Sequence, residues 1–317
     1  MRVGSFVIDS LMAQKRLHID AFLIGVQKCG SSSLERWMAG HKSIYSPDGA
    51  KDFHYYSDSK LMKSGGAMMT QWYGQAHDDR VSLHAAINYG WSHRAMKTIS
   101  SHHPSARYIL VLRNPADRAI SAYRYFSELG VETRSFSEAL QCESSRDLTD
   151  QQKHYGRYLG QGNYADLLRQ VHEYVDSDQL LVLTQPECKT NLDDVKMRLG
   201  NHLSIDPSSF GPYDTLVNQS KQARATWLNQ LFQSKEGTIG WWKKNVPMQR
   251  MLPQSSRKAL GDKVRSWNQS KNSTSLTLSE ELQRHLQVYA DDMIDQLEAY
   301  SKQDYQSLRK SHYLTSL

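Results

Sequence analysis

The chain has few cysteines, only three in 317 residues, at Cys29, Cys142 and Cys188. Because they are so few and so far apart, a disulfide framework and a zinc site with paired cysteine ligands are both excluded, and a reducing compartment is expected. Long apolar runs are also missing, since no stretch approaches the roughly 18 residues that a membrane-spanning helix requires. The charged residues within 1–20 likewise do not fit a secretory signal. The sequence therefore predicts a protein without a transmembrane segment.

The charge balance is basic, with a formal net charge of +6 and a pI near 9.0, and the basic residues are spread along the chain. This balance suits an anionic ligand or acceptor, and a solvated basic surface is the alternative. Basic residues are not interleaved with aromatic ones as in nucleic-acid readers, so we expect no nucleic-acid partner. The length fits a single domain over 1–317, with a core at about 20–310, an N-terminal extension at 1–19 and a polar cover or excursion at 234–276.

Three apolar runs, at 21–26, 107–112 and 179–184, have the composition of buried parallel strands. Helical patterns separate them, which indicates an α/β fold with a central parallel sheet flanked by helices. The pattern predicts helices after Pro115, over about 164–175, and along the apolar positions between Leu282 and Leu297.

The first strand runs into the loop 25–33, which reads Gly-Val-Gln-Lys-Cys-Gly-Ser-Ser-Ser. Glycines allow the backbone to fold around an anion, and the first amides of the following helix point at it. The loop differs from the nucleoside-triphosphate pattern G-x-x-x-x-G-K-[ST], because Lys28 comes three residues after Gly25. The sequence therefore predicts a phosphate-binding strand-loop-helix of a P-loop-like kind, and a strand-to-helix turn without ligand is the alternative.

A second anion site is predicted at the end of the strand 107–112, where ligands of open α/β sheets bind. Arg113 follows this strand directly and offers a guanidinium fork suited to phosphate, and Ser121 adds a hydroxyl from the next helix. An ion pair of Arg113 with an acidic neighbour is the alternative interpretation.

Together these motifs resemble the sulfotransferases that use 3′-phosphoadenosine 5′-phosphosulfate (PAPS), nearest their carbohydrate, heparan-sulfate-like branch. The loop matches the family's G-x-x-K-x-G-T/S, and the segment from Arg113 to Tyr123 matches R-x-P-x-x-R-A-x-S-x-Y. Between them, the sequence Lys-Asp-Phe-His-Tyr-Tyr at 51–56 resembles the branch's K-E-x-H-F-F. The resemblance covers roughly residues 20–310 and implies a P-loop-like sulfotransferase fold.

The resemblance also implies roles for individual residues. Lys28 would neutralise the leaving group, Asp52 would be the general base with His54 as the second choice, and Lys51 and Tyr89 would contact the acceptor. Cofactor binding is implied for Lys28, Cys29, Gly30, Ser31, Ser32, Ser33, Arg113 and Ser121, with Lys221 and Arg224 as a counterpart of the family's basic loop over the nucleotide. PAPS would be the donor, 3′-phosphoadenosine 5′-phosphate (PAP) the product, and no metal would be required.

The implied activity is sulfuryl transfer to a hydroxyl, or an amine, of a carbohydrate, glycolipid or other hydroxylated small molecule. A cytoplasmic enzyme is expected, and a Golgi-lumen catalytic domain is the alternative. Two departures keep other functions open: the acid at position 52 is Asp where the branch has Glu, and Ile87-Asn88-Tyr89 lacks the usual Ser-Pro. The alternatives are a small-molecule kinase with an atypical phosphate loop and a catalytically silent nucleotide-binding relative. The alternative role for Asp52 is a structural ion pair, and the alternative role for His54 is packing in the core.

Overall fold

A computed structural model describes residues 17–74, 79–144, 156–213, 276 and 278–314, together with the strand backbone at 222–223 and 269–270. Several predictions lie outside these residues: most of the extension 1–19, nearly all of the polar segment 234–276, and the proposed basic-loop residues Lys221 and Arg224.

Five parallel strands form one sheet in the order β2-β3-β1-β4-β5. The strands are β1 (Ala21–Gly25), β2 (Ile44–Tyr45), β3 (Val81–Ala85), β4 (Arg107–Leu112) and β5 (Leu180–Thr184). All five residues of β1 are buried, which fits a strand at the centre of the sheet. The prediction of a parallel α/β sheet is thus confirmed, with β4 at its predicted bounds and β1 and β5 one residue shorter.

Helices follow most strands, as in other parallel sheets. In chain order they are α1 (Ser31–Ala39), α2 (Ser59–Ser64), α3 (Gly66–Tyr73), α4 (His93–His102), α5 (Pro115–Glu128), α6 (Phe136–Ser144), α7 (Tyr164–His172), α8 (Glu187–Thr190), α9 (Leu192–Leu203) and α10 (Glu280–Ser301). In α7, Leu167, Leu168 and Val171 are buried at helical spacing, and the Asn163 side chain caps the helix by accepting from the Asp166 amide at 3.1 Å.

The chain divides into two compact units. The first comprises Met1–Pro115, Asn163–Asn218 and Asp291–Lys310, and contains the five-stranded sheet. The second comprises Ala116–Gly162, Gln219–Ala290 and Ser311–Leu317, and includes the two-stranded antiparallel pair β6 (Gln222–Ala223) and β7 (Gln269–Ser270). Each unit has its own apolar cluster. The single domain over 1–317 stays a prediction.

None of the described helices combines the length and the apolar character needed to cross a membrane. Within the same residues, no group of three or more His, Cys, Asp or Glu side chains is arranged to hold a metal ion.

Candidate functional site

The loop between β1 and α1 has the backbone of an anion cradle. Lys28 and Gly30 adopt positive φ angles of 69° and 99°, so the chain turns twice in the left-handed region before the helix begins at Ser31. Glycine reaches this region without steric cost, whereas lysine is strained there. No side chain caps α1 and its first turn holds no acidic residue. The positive end of this helix is therefore suited to bind an anion.

The close approach of the loop to its neighbours requires glycine at its first position. A Cβ atom built on Gly25 would lie 3.1 Å from the backbone oxygen of Ile87. The loop is thereby packed against the segment that follows β3.

The Cys29 side chain is enclosed by the protein. Cys29 is fully buried, its amide donates to the Val26 carbonyl at 3.2 Å, and its sulfur lies 3.6 Å from the Tyr164 hydroxyl. Ser31 and Ser33 are also buried, whereas Ser32 is partly exposed. Among the loop's side chains beyond Lys28, Ser32 is thus the hydroxyl most open to a ligand.

Arg113 brings the second predicted anion site to the loop. It directly follows β4, is 9% exposed, and its Nη1 donates to the backbone oxygen of Lys28 at 3.4 Å. The Tyr164 hydroxyl donates to the Arg113 carbonyl at 2.8 Å, so Tyr164 touches both Cys29 and Arg113. Lys28 and Arg113, which are 85 residues apart in the chain, are therefore in contact. Ser121 lies on α5, in the second unit, is partly exposed, and its pairing with Arg113 stays a prediction.

The segment that carries Asp52 is fastened to the carboxyl end of β3. The Asp52 amide donates to the Ala85 carbonyl at 2.8 Å, and the Ile87 amide donates to the Asp52 carboxylate at 3.3 Å. Ala85 pairs with Leu23 of β1, and the Ile87 backbone packs on Gly25. Because neighbouring parallel strands end at the same edge, Asp52 lies at the edge of the sheet that carries the loop.

Charged and titratable side chains surround the Asp52 carboxylate. Lys51 Nζ lies 3.0 Å from Asp52 Oδ2, and both side chains are partly exposed. A structural ion pair was the alternative to a catalytic role for Asp52. The carboxylate forms this ion pair and also stays accessible to solvent. Burial lowers the pKa of His54, against the opposing charge of Asp52, so His54 is a neutral imidazole at neutral pH.

Tyr89 lies beneath this segment and not on its surface. It is fully buried, its hydroxyl donates to the Phe53 carbonyl at 3.1 Å, and the same hydroxyl oxygen accepts from the Tyr56 amide at 3.3 Å. Burial raises its pKa, so it stays a neutral phenol. The hydroxyl predicted to contact an acceptor is thus engaged within the protein.

Comparison with known proteins places these features in one family. A family model described as a sulfotransferase domain matches residues 18–287, which is most of the chain. The chain belongs to the sulfotransferase family. Family membership makes the protein a sulfotransferase enzyme and confirms the resemblance inferred from its motifs.

Two relatives show how far the likeness of this sulfotransferase extends. The bifunctional heparan sulfate N-deacetylase/N-sulfotransferase 1 of Caenorhabditis elegans is 21% identical over 210 residues, covering 64% of this chain but only 24% of that protein. The crystal structure of a sulfotransferase from Alicyclobacillus acidocaldarius superposes with a TM-score of 0.62 at 19% identity, covering 92% of this chain and 99% of that one. The second comparison confirms the sulfotransferase fold.

Sequence reasoning missed some residues that lie beside the candidate site. A Cβ atom on Gly30 would lie 3.5 Å from the Gln185 side chain, which follows β5 and so stands beside the loop. His84 lies in β3 under the Asp52 segment. Gln185 could have been found from the sequence, because it directly follows a buried strand. His84 had none, because a histidine within a short strand is indistinguishable from an ordinary core residue.

Proposed function

We propose that this sulfotransferase transfers a sulfuryl group from PAPS to a hydroxyl, or an amine, of a carbohydrate-type acceptor. The observation that carries the proposal is the contact of Arg113 with the backbone of the Lys28 loop, because it joins two anion-binding segments into one site. A donor with phosphate groups at both its 5′ and 3′ positions fits a site with two such segments. A triphosphate would need only the loop.

The residues at the loop fit the 5′-phosphosulfate end of PAPS. The positive-φ turn at Lys28 and Gly30, the uncapped helix start and the Lys28 charge all favour an anion there. Ser32 adds an accessible hydroxyl. Arg113 is assigned to the 3′-phosphate together with Ser121, and Lys221 and Arg224 are kept as candidate contacts to the nucleotide. Cys29, Ser31 and Ser33 are assigned to the shape of the loop and its backbone amides, since their side chains are buried.

PAPS, when bound, supplies an activated sulfuryl group on a phosphate leaving group. Asp52 takes the proton from the acceptor hydroxyl. The oxygen of that hydroxyl forms the new bond to sulfur while the bond from sulfur to the phosphate oxygen breaks. Lys28 and the loop amides stabilise the negative charge that builds on that oxygen. His54, held neutral by burial, is the alternative proton acceptor. Lys51, paired with Asp52, orients the carboxylate beside the reacting groups.

The carbohydrate acceptor is supported by the 51–56 segment and by the curated relative, whose name gives it heparan sulfate N-sulfotransferase activity. The chain spans about a quarter of that protein's length, so its substrate enters here as a guide to the acceptor class only. A carbohydrate bearing a free amine is accordingly one acceptor to test beside hydroxylated sugars, glycolipids and phenols.

The test is a transfer assay with PAPS labelled at sulfur and a panel of these acceptors, without added divalent metal. We expect label to appear in one or more carbohydrate products and PAP to form in equal amount. Binding of PAP without transfer to any acceptor would favour a silent nucleotide-binding relative. Labelled phosphate transferred from ATP with magnesium, in the absence of sulfuryl transfer, would favour a kinase. Either result would overturn the proposal.

A further inference from the structure

Two buried side chains converge on one carbonyl of the Asp52 segment. His84 and Tyr89 are both fully buried, and the His84 Nε2 and the Tyr89 hydroxyl lie 3.2 Å and 3.1 Å from the Phe53 oxygen. Phe53 stands between Asp52 and His54 in the chain. We propose that His84 and Tyr89 are positioning residues that fix the Asp52–His54 segment for catalysis. This inference rests on the proposed function for the roles of Asp52 and His54.

Both ring nitrogens of His84 have hydrogen-bond partners. A carbonyl oxygen only accepts, so Nε2 donates to the Phe53 oxygen in the tautomer that carries the proton on Nε2. Nδ1 is then an acceptor, and it lies 2.8 Å from the Tyr73 hydroxyl, which also reaches the Leu83 carbonyl at 3.2 Å. Burial lowers the pKa of His84 to about 4, so the ring is neutral at neutral pH and keeps this arrangement. Tyr73 and Tyr89 therefore hold the imidazole from both sides.

The segment needs such support because its backbone is strained. Asp52 has a φ of 59°, a left-handed conformation that a non-glycine residue keeps only when its surroundings enforce it. One side is held by the hydrogen bond from the Asp52 amide to the Ala85 carbonyl, 2.8 Å long. The other side is held at the next residue by His84 and Tyr89. Since Ala85 follows His84 in β3, both supports come from one strand and the loop after it.

The Tyr89 hydroxyl also connects Phe53 with Tyr56, which lies just beyond the segment. It donates to Phe53 and accepts from the Tyr56 amide at 3.3 Å, and it lies 3.1 Å from His84 Nε2. Loss of either side chain removes one of the hydrogen bonds that tie the Phe53 carbonyl to β3 and the loop after it, and it takes a partner from the other buried side chain, which is costly. The segment would then relax out of its strained conformation.

Two substitutions of His84 separate a positioning role from general packing. In His84→Gln the side-chain amide nitrogen reaches the place of Nε2 and still donates to Phe53, whereas in His84→Asn the shorter amide stops near the place of Nδ1. We expect His84→Asn to lower kcat about 10- to 100-fold, because a small misplacement of a reacting group has an effect of that order. His84→Gln should stay within about threefold of the wild type, and the Kd for PAP should change in neither. Tyr89→Phe, which removes only a hydroxyl, should lower kcat in the same way.

His41 offers a matched control in the loop after α1. It is 1% exposed, its Nε2 lies 2.9 Å from the Asp206 carbonyl, and its Nδ1 accepts from the Ser43 amide at 3.1 Å. His41→Gln and His41→Asn therefore repeat the same loss of hydrogen bonds in a buried histidine that precedes β2, whereas Asp52 lies at the carboxyl end of β3. We expect the two His41 variants to have equal kcat values.

A second readout does not depend on activity. Amide hydrogen exchange at Asp52 and at Tyr55, whose amide donates to the Phe53 carbonyl at 2.7 Å, should be faster in His84→Asn than in His84→Gln. If no acceptor is sulfated, the proposed function fails while the exchange comparison still decides the positioning role. Equal exchange and equal kcat in the two His84 variants, or an equal fall of kcat in the two asparagine variants at positions 84 and 41, would overturn the inference.

Discussion

The Nη1 of Arg113 donates to the backbone oxygen of Lys28 at 3.4 Å, which joins the end of β4 to the phosphate loop that follows β1. The two strands are neighbours in the sheet, with Leu23 paired to Ile109, so their carboxyl ends meet. Tyr164 strengthens the junction by donating to the Arg113 carbonyl at 2.8 Å. The junction brings the two predicted anion-binding segments together, as the proposed donor with two phosphate positions requires.

Arg113→Ala should weaken PAP binding about 10- to 100-fold, since hydrogen bonds to a charged group contribute roughly 1.5–3 kcal/mol. Arg113→Lys should recover only part of the loss, because an ammonium lacks the planar fork. Calorimetric titration with PAP measures both. Arg107→Ala is the control, because Arg107 begins the same strand at its other end and pairs with Asp178. Equal losses in the Arg107 and Arg113 variants would contradict the assignment.

Lys28→Ala should lower kcat by about 10²–10³, the effect of removing one group that stabilises charge developing on a leaving oxygen. Steady-state transfer from labelled PAPS measures it, at donor concentrations above KM. Lys42→Ala, at an exposed lysine beyond the other end of α1, should leave kcat unchanged. A Lys28 variant with a wild-type kcat would remove Lys28 from the chemical step.

Asp52→Asn should lower kcat about 10²–10⁴-fold, the usual contribution of a placed general base. Asp52→Glu, which supplies the acid found in the carbohydrate branch, should keep most of the activity. His54→Gln should have the smaller effect if Asp52 is the base. A larger loss in His54→Gln, with the acid limb of the kcat/KM profile abolished, would exchange the two roles.

The buried histidine also predicts how stability depends on pH. The pKa of His84 falls from 6.5 in the unfolded chain to about 4 in the folded protein, so the unfolded state takes up more protons between these values. Stability is therefore full above pH 6.5 and is lost as the pH falls toward 4. His84→Gln should reduce the loss of unfolding free energy between pH 7 and pH 4.5 by about 2 kcal/mol. Urea unfolding at the two pH values measures it, and an unchanged loss would contradict the prediction.

The sequence predicted the parts of the fold that have strong local signals. The strand 107–112 is a continuous apolar run, and the loop at 25–33 has glycines, a lysine and a helical pattern behind it, so both were found. Strands β2 and β3 were not predicted, because β2 has two residues and β3 places Ser82 and His84 in buried positions.

The candidate site was predictable where a motif marked it and not where tertiary contacts form it. Arg113 and Asp52 were recognised from their neighbours in the chain. The support of the Phe53 carbonyl by His84, 31 residues away, depends on the pairing of β3 in the sheet, which no local pattern records. Tyr89 was assigned to the acceptor by resemblance, and only its burial shows that its hydroxyl serves the protein's own backbone.

The central claim is that the site takes a donor of the PAPS type, and calorimetric titration of the wild-type protein with PAP, without divalent metal, tests it most directly. The account predicts one-site binding of PAP at least about tenfold tighter than binding of ATP with magnesium. The reason is that Arg113 binds the 3′-phosphate, which ATP lacks, and one hydrogen bond to a charged group contributes roughly a tenfold difference in Kd. Tighter binding of ATP with magnesium, or no binding of PAP, would contradict the account.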